Sequence, residues 1–216
     1  MPLQSGSDRV LQQMRRSYRS DRYLGILDRV RTGIPHAAIT TDIIVGFPGE
    51  TEQDFQATLD VCSTARFTAA YTYQYSKRPG TPAATMPDQI ADDVVADRYT
   101  RLHNHQQAIS LSVNQEAIGT QHKILVGDYE GRRDEAQSRL TGRSEDFRLV
   151  HFDNTFVARP GDEVTVSITD ASAHYLIGQA HNVIKTRGGD AHQLRTAPAA
   201  EKSSATSLGI PTVRTV

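Results

Sequence analysis

The stretch AITTDIIVGFPGET, residues 38–51, decides the fold of the first half of this chain. Its β-branched run over residues 39–45 predicts a strand that is buried on both faces, as in a parallel sheet flanked by helices. Gly46, Pro48 and Gly49 then predict a tight loop, because glycine reaches positive φ and lets a ligand approach the backbone, and proline stiffens the turn. Since α/β folds bind ligands at the carboxyl ends of parallel strands, this loop is the first candidate site. A plain strand–turn–helix connection is the alternative.

A pattern of alternating helices and strands surrounds this stretch. Thr51 and Asp54 can form a variant of the helix capping box, so a helix is predicted to begin directly after the loop. The aromatic and β-branched segment 67–75 predicts a second strand. Helices and strands in this order indicate right-handed parallel βα units, whose end loops lie side by side. The loop of residues 76–83 is therefore either a second wall of the same site or a surface turn.

The composition excludes several classes of protein. The 216 residues carry a formal net charge of −1, so no global field favours nucleic acid or a membrane, and any such partner must be recognised locally. No apolar run is as long as a membrane span, and the first residues lack the basic and apolar regions of a signal peptide. We therefore expect a cytoplasmic location and no membrane partner. The single cysteine, Cys62, lies at an apolar helical position, where a buried core residue is expected.

Beyond residue 90 the chain changes character. Residues 91–117 read as a charged connecting helix, and the segment after Gly119 alternates short β-rich runs with turns. The predicted strands are residues 122–126, 138–142, 147–152, 163–169 and 175–180. Five short strands predict a small closed barrel of the oligonucleotide-binding type or a close relative. Residues 186–216 lack periodicity, which predicts a disordered tail.

Arginine and aromatic side chains recur in the predicted barrel. The candidates for RNA contact are Arg139, Arg143, Phe147, Arg148 and His151, because barrels of this kind often bind RNA with arginines and aromatics on one face. Acidic residues outnumber Lys and Arg across the same segment, however. A neutral scaffold with solvated arginines is therefore equally consistent with the sequence.

Several motifs together resemble one family. They are PLQSGSDRVL at residues 2–11, MRRSY at 14–18, TTDIIVGFPGET at 40–51, YSKRPGTPAA at 75–84, LTGR at 140–143 and RLVHF at 148–152. The first four look like the later half of a radical S-adenosylmethionine methylthiotransferase, and the last two look like its RNA-binding TRAM domain. The implied fold is α/β: the C-terminal half of a radical SAM TIM-like (β/α) barrel in residues 1–90, the connecting helix, a small all-β TRAM (OB-like) barrel in 118–185 and the disordered tail.

The resemblance also implies a reaction. The motifs look most like those of the tRNA-modifying members that add a methylthio group to C2 of N6-dimethylallyladenosine next to the anticodon. Members of the family use S-adenosyl-L-methionine and [4Fe-4S] clusters, and the implied partner is the anticodon stem-loop of tRNA. Two alternatives stay open. One is the sibling reaction on threonylcarbamoyl-adenosine, and the other is a non-catalytic RNA-binding module.

Carried over motif by motif, the resemblance assigns residues to the cofactor and to RNA. The implied S-adenosylmethionine contacts are Gln4, Ser5, Ser7, Ile43, Gly46, Pro48, Gly49 and Glu50. The implied RNA contacts are Arg78, Arg139, Arg143, Phe147 and Arg148. Structural roles compete with these assignments, since Gln4 and Ser5 could cap a helix and Glu50 could complement the dipole of the following helix.

One departure from the family limits what this chain can do. The family holds its clusters with a Cys-x-x-x-Cys-x-x-Cys triad and three further cysteines, whereas this chain has Cys62 alone. We therefore expect a C-terminal portion that neither binds a cluster nor catalyses the reaction by itself, with the missing N-terminal portion as its partner. A half-barrel with open strand edges should also be less stable than the self-contained β-barrel.

Overall fold

The computed structural model describes residues 1–127, 139–153 and 158–186. The elements in chain order are α1 (Asp8–Gln13), α2 (Ser20–Gly33), β1 (Thr40–Val45), α3 (Glu52–Ala65), β2 (Ala69–Gln74), a 3-10 turn (Pro82–Thr85), α4 (Asp92–Gln115), β3 (Gln121–Val126), β4 (Arg139–Ser144), β5 (Leu149–Asp153), β6 (Glu163–Ala171) and β7 (Leu176–Lys185). The predicted disordered tail lies outside the described residues from residue 187 onward, as does the start of the strand predicted at residue 138. Across the described segments, no helix has the length and apolarity needed to cross a membrane.

The first half of the chain is built on a parallel strand pair. β1 and β2 run in parallel, with Ile43 opposite Thr72 in the register. Gln4 adds a third parallel segment, because its N–H donates to Asp42 O at 2.8 Å and its carbonyl accepts from Ile44 N at 2.9 Å. The predicted parallel βα arrangement is therefore confirmed, and three chain segments end at the same edge.

The burial of β1 differs from the sequence prediction. The strand was predicted to be buried on both faces, but only Thr41, Ile43 and Val45 are buried, against the helices. Asp42 and Ile44 are half-buried and point to the opposite face. The prediction was wrong because β-branched residues favour strands on either face, so composition does not report which face is covered. The uncovered face borders the cavity described below.

The helix that follows the loop starts as the sequence predicts. Thr51 Oγ1 accepts from Asp54 N, and the Asp54 carboxylate accepts from Thr51 N at 2.8 Å, which completes the capping box. The helix buries Phe55, and Cys62 is buried with it in the core between the helices and the sheet. The expected core role of Cys62 is therefore confirmed.

The second half of the chain forms a closed five-stranded barrel, as predicted. The strand order is β3-β4-β5-β7-β6, with β5 and β7 parallel and the other neighbours antiparallel. Fully buried side chains such as Ile124, Phe152 and Leu176 fill its interior. Gly142 is required in β4, since a Cβ there would lie 2.5 Å from Leu125 O. The barrel therefore has a core of its own.

Helix α4 joins the two halves and packs against both. Gln106 donates to Phe67 O at 2.9 Å in the first half. At its other end Asn114 donates to Ser172 O at 2.8 Å, and Gly119 N donates to Ile168 O at 2.9 Å in the barrel. The predicted connecting helix is thus also a packed structural element.

Candidate functional site

A cavity of about 790 Å³ lies at the carboxyl ends of the parallel segments. Its walls come from the strand ends, from the end of α1 and from the loop of residues 76–86. Ile44, Phe47, Tyr73 and Tyr75 supply apolar and aromatic surface, and Asp42 supplies a carboxylate. The volume and the mixture of apolar walls with a few polar groups suit a small organic ligand.

Gln4 is the predicted cofactor residue that the structure brings closest to the cavity. It lies in a left-handed conformation with φ of 69°, and its side chain lines the cavity. Arg16 Nη2 donates to Gln4 Oε1 at 3.0 Å, which fixes the amide and leaves its NH₂ group available. Gln4 therefore positions an amide donor beside the cavity and does not serve as a helix cap.

Two cavity-lining side chains carry buried polar atoms without a hydrogen-bond partner among the described residues. They are Gln13 Oε1 and the hydroxyl of Tyr75. The Tyr75 ring packs edge-on against Phe47, with 5.5 Å between the centroids. Because buried polar atoms are normally satisfied, two such atoms at one cavity indicate a place where a polar ligand or an ordered water completes the hydrogen bonding.

The loop of residues 46–50 is held by α4. Gly46 N donates to Glu50 Oε2 at 2.8 Å, and Arg98 Nη1 donates to the same oxygen and to Glu50 O at 3.0 Å each. Burial raises the pKa of Glu50 despite these hydrogen bonds. The Glu50 carboxylate therefore fastens the loop to α4 from inside and does not face the cavity.

The two glycines of this loop also face protein. Gly46 has φ of +78°, and a Cβ there would lie 2.6 Å from Val95 Cγ2. Gly49 has φ of +78°, and its N–H donates to Asp88 O at 2.8 Å. Pro48 is buried, and Phe47 is the residue of this loop that lines the cavity. Gly46 therefore permits the close approach of α4, whereas Gly49 lies near Arg9 and Gln13 of α1 and bonds to Asp88 ahead of α4.

The remaining predicted cofactor residues lie away from the cavity walls. Ser5 Oγ is 3.4 Å from Thr58 Oγ1 and accepts from Ser7 N at 3.2 Å. Ser7 caps α1 and donates to Asp54 Oδ1 at 2.5 Å. Ile43 is fully buried in the core, and its neighbour Ile44 lines the cavity instead. These three side chains build the scaffold behind the site.

An ionic network ties α1 to the start of α3. Arg9 pairs with the Asp54 carboxylate and donates to Gly49 O at 2.6 Å. Although burial opposes it, hydrogen bonds from Arg9, Ser7 and Thr51 hold the pKa of Asp54 well below its usual range. Asp54 is therefore ionised at neutral pH and organises the loop from the side opposite α4.

The chain does not supply a ligand set for an iron–sulfur cluster. Such clusters take cysteine thiolates, and Cys62 is fully buried, with burial raising the pKa of its thiol to about 12. In the part of the chain that the structure describes, no three His, Cys, Asp or Glu side chains come together as metal ligands. The residues present do not fit a cluster.

Three arginines are among the residues that line the cavity. Arg15 and Arg16 follow α1, with Arg15 in a left-handed conformation at φ of 57°, and Arg78 lies in the loop on the other side. Arg78 is thus separate from the predicted RNA residues of the barrel. The sequence did not assign Asp42, Tyr73 or Gln13 to the site, and the period-two alternation of β1 and β2 was the available signal for Asp42 and Tyr73.

Of the predicted RNA residues of the barrel, Arg143, Phe147 and Arg148 cluster around the β4–β5 turn. Arg139 and His151 lie along the strands instead, with His151 Nδ1 2.9 Å from Thr141 Oγ1. Phe147 is 75% exposed, and the Arg143 guanidinium lies 5.2 Å from its ring centroid. Arg148 pairs with Asp146 at 2.5 Å, and both side chains are largely buried. Arg139 lies at the start of β4, opposite Asp153. The turn therefore presents Arg143 and Phe147 outward, while Arg148 holds the turn together.

Comparison with known proteins gives two family matches. Residues 1–62 match the radical SAM superfamily, and residues 123–181 match the TRAM domain. Three relatives are named tRNA-2-methylthio-N(6)-dimethylallyladenosine synthase, from Mycolicibacterium smegmatis, Nocardia farcinica and Acidothermus cellulolyticus. Each is 56% identical over 99% of this chain, and the alignments cover 41%, 43% and 42% of the three relatives. The chain thus spans about two fifths of the length of these relatives and corresponds to their C-terminal portion.

Proposed function

We propose that this chain, which carries a radical SAM segment and a TRAM domain, works as the C-terminal portion of a tRNA methylthiotransferase. The reaction proposed is the addition of a methylthio group to C2 of N6-dimethylallyladenosine next to the anticodon. The observation that carries the proposal is 56% identity over 99% of the chain to proteins whose names describe this product. The organisation of the chain agrees with it, since the radical SAM match contains β1 and one wall of the cavity, and the TRAM match spans most of the closed barrel.

S-adenosylmethionine fits the cavity described above. Of the two unpartnered polar atoms, Gln13 Oε1 can accept a hydrogen bond from an amino acid or ribose group, and the Tyr75 hydroxyl can donate or accept one. Asp42 supplies an acceptor for an ammonium or hydroxyl group, and Gln4 supplies an amide donor beside it. Phe47 gives an apolar wall for the adenine. When bound, S-adenosylmethionine supplies the radical and methyl chemistry of the family, and these side chains bind and orient it.

The radical SAM segment is best explained as half of a (β/α) barrel. Among the described strands, β2 pairs with β1 alone, so its other edge is open. The side chains of Tyr71 and Tyr73, which belong to β2, are 63% and 51% exposed. A barrel closes by pairing every strand, so further βα units supplied by the N-terminal portion would cover this edge and these rings. The same portion would supply the cluster ligands that this chain lacks, in a cytoplasmic enzyme.

The three arginines at the cavity suit a nucleic acid substrate. Arg15 and Arg78 flank the cavity from opposite sides, and one carboxylate, that of Asp42, offsets them among the lining residues. Guanidinium groups bind phosphate through paired hydrogen bonds, so a nucleotide that enters the cavity would have its flanking phosphates held at the rim. In the barrel, Arg139, Arg143 and Phe147 would contact the same RNA at a distance from the cavity.

A chimera tests the proposal directly. The N-terminal portion of the M. smegmatis relative would be fused to this chain and produced in a host that lacks the enzyme. Nucleoside mass spectrometry of the tRNA should then detect 2-methylthio-N6-dimethylallyladenosine, with the intact relative as the positive control. A folded chimera that carries its clusters and leaves tRNA unmodified would contradict the proposal. A methylthio group on threonylcarbamoyl-adenosine would instead assign the sibling reaction.

A further inference from the structure

Phe147, in the β4–β5 turn, combines two features that rarely occur together in a residue without a ligand. Its side chain is 75% exposed, more than any other large apolar side chain of the described residues. Its backbone has φ of 67°, a left-handed conformation that bulky residues rarely adopt. Asparagine or glycine would suit this position better. A large ring is therefore presented to solvent at a position that disfavours it, which indicates a binding role.

The turn that carries Phe147 is rigid. Phe147 N donates to Ser144 O at 2.9 Å, and Arg148 N donates to Ser144 Oγ at 3.0 Å. Ser144 Oγ also donates to Asp146, which pairs with Arg148. Although burial opposes it, hydrogen bonds from Arg148 and Ser144 lower the pKa of Asp146, so this pair persists at neutral pH. The backbone that carries the ring is thus fixed before any ligand binds.

Arg143 extends the surface of the ring. Its guanidinium lies 5.2 Å from the Phe147 ring centroid, and Nη1 donates to Phe147 O at 3.2 Å. Across the strand pair from Arg143 lies Leu125, which is 49% exposed. The aromatic ring, the guanidinium group and the exposed leucine thus give this part of the barrel both apolar and cationic character.

We propose that Phe147 and Arg143 form a stacking platform for an unpaired base of the RNA substrate. Aromatic rings and guanidinium planes are the side chains on which proteins stack bases from single-stranded RNA. A base inside a duplex has both faces covered by its neighbours, so the platform selects an unpaired base. The proposal rests on the proposed function for the presence of RNA, and it names what the barrel recognises.

The charges around the turn support stacking over phosphate binding. Glu145 and Asp146 accompany Arg143 and Arg148, and Lys123 lies 3.8 Å from Glu145. These opposite charges nearly cancel, so the turn offers little attraction for phosphate compared with the cavity rim. The contribution of Phe147 to affinity should therefore be independent of salt.

Affinity measurements with two RNAs test the platform. The full chain would be titrated with a stem-loop whose loop contains unpaired adenosines, and with a duplex of the same stem sequence. Phe147→Asn and Phe147→Leu should weaken stem-loop binding by roughly 5- to 150-fold, the range measured for loss of one base–aromatic stack. Phe147→Tyr should bind like the parent. Duplex binding and the salt dependence should not change in any of the variants.

Thermal unfolding of the same variants separates binding from folding. Because Asn suits a left-handed position, Phe147→Asn should be at least as stable as the parent while binding the stem-loop less well. Ile184→Asn, at a 45% exposed position on β7, is the matched control and should bind like the parent. Equal stem-loop affinity of Phe147→Asn and the parent would overturn the platform and leave the proposed function standing. A parent that binds neither RNA would also overturn the platform, whereas the proposed function is decided separately by the chimera.

Discussion

Removal of the Arg98 guanidinium should destabilise the first half of the chain and release the loop of residues 46–50. The Arg98 side chain is 6% exposed and that of Glu50 is 1% exposed, with 3.0 Å between Nη1 and Oε2. Arg98→Met leaves the carboxylate buried without its cation. Breaking one side of a buried ion pair costs about 3–5 kcal/mol, and we expect a loss of unfolding free energy in this range.

The pH dependence of this loss follows from the same carboxylate. Burial raises the pKa of Glu50, and without Arg98 it should rise further. A carboxyl whose folded pKa exceeds its unfolded pKa gains stability as the pH falls through the folded pKa toward the unfolded value of about 4.3. The deficit of Arg98→Met should therefore shrink between neutral pH and about 4.3. The double variant Glu50→Gln/Arg98→Met should recover much of the loss at neutral pH, since Gln can still accept from Gly46 N without a buried charge.

Urea unfolding followed by far-UV circular dichroism measures these free energies. Amide hydrogen exchange should show Gly46 and Gly49 losing protection in Arg98→Met, while the amides of the β-barrel stay protected as an internal control. A loss below about 1 kcal/mol, which is typical of a surface pair, would refute the reasoning. So would a deficit that stays the same at every pH, or a double variant no more stable than the single one.

Three further outcomes are expected. Gly46→Ala should cost about 1–3 kcal/mol in urea unfolding, because alanine is strained at φ of +78° and its Cβ would meet Val95; Val95→Ala should recover the steric part. Cys62 should resist thiol reagents at neutral pH in the native chain and react fully in urea, since it is buried and its pKa is raised to about 12. Asp54→Asn should destabilise at neutral pH by removing the pair with Arg9. The difference from the parent should begin to shrink as the pH falls below about 4 and should disappear only once the pH falls through the depressed folded pKa of Asp54, because the stability it contributes is complete above the unfolded pKa and is lost between the two values.

Local signals in the sequence predicted the scaffold well. The capping box of Thr51 and Asp54 depends on residues three positions apart, so the sequence contains all of it. The parallel pairing of β1 and β2 follows from the order of helices and strands, and the five strands of the barrel follow from their turns. These features depend on spacing along the chain.

The orientation of the candidate loop could not be predicted in the same way. Glycine at residues 46 and 49 predicts a close approach of some other group, but not which group approaches. At Gly46 the group is α4, whose Arg98 lies 48 positions from Glu50 in the sequence, and at Gly49 it is α1 together with Asp88. Likewise, Arg143 and Arg148 look equivalent in the sequence. The fold distinguishes them, because Arg148 forms an ion pair with Asp146 whereas the Arg143 guanidinium lies against the Phe147 ring.

Helix α4 connects the geometry of the cavity to that of the barrel. One end fastens the loop of residues 46–50 through Arg98, and the other end is bonded to the barrel through Asn114. Its 24 residues correspond to about 36 Å of helix. Because both ends are packed, α4 is a fixed spacer between the loop beside the cavity and the barrel. On the proposed function, an RNA held by a base on the Phe147 platform would reach the cavity across this spacer, so the barrel would help to choose the target nucleotide as well as to bind RNA.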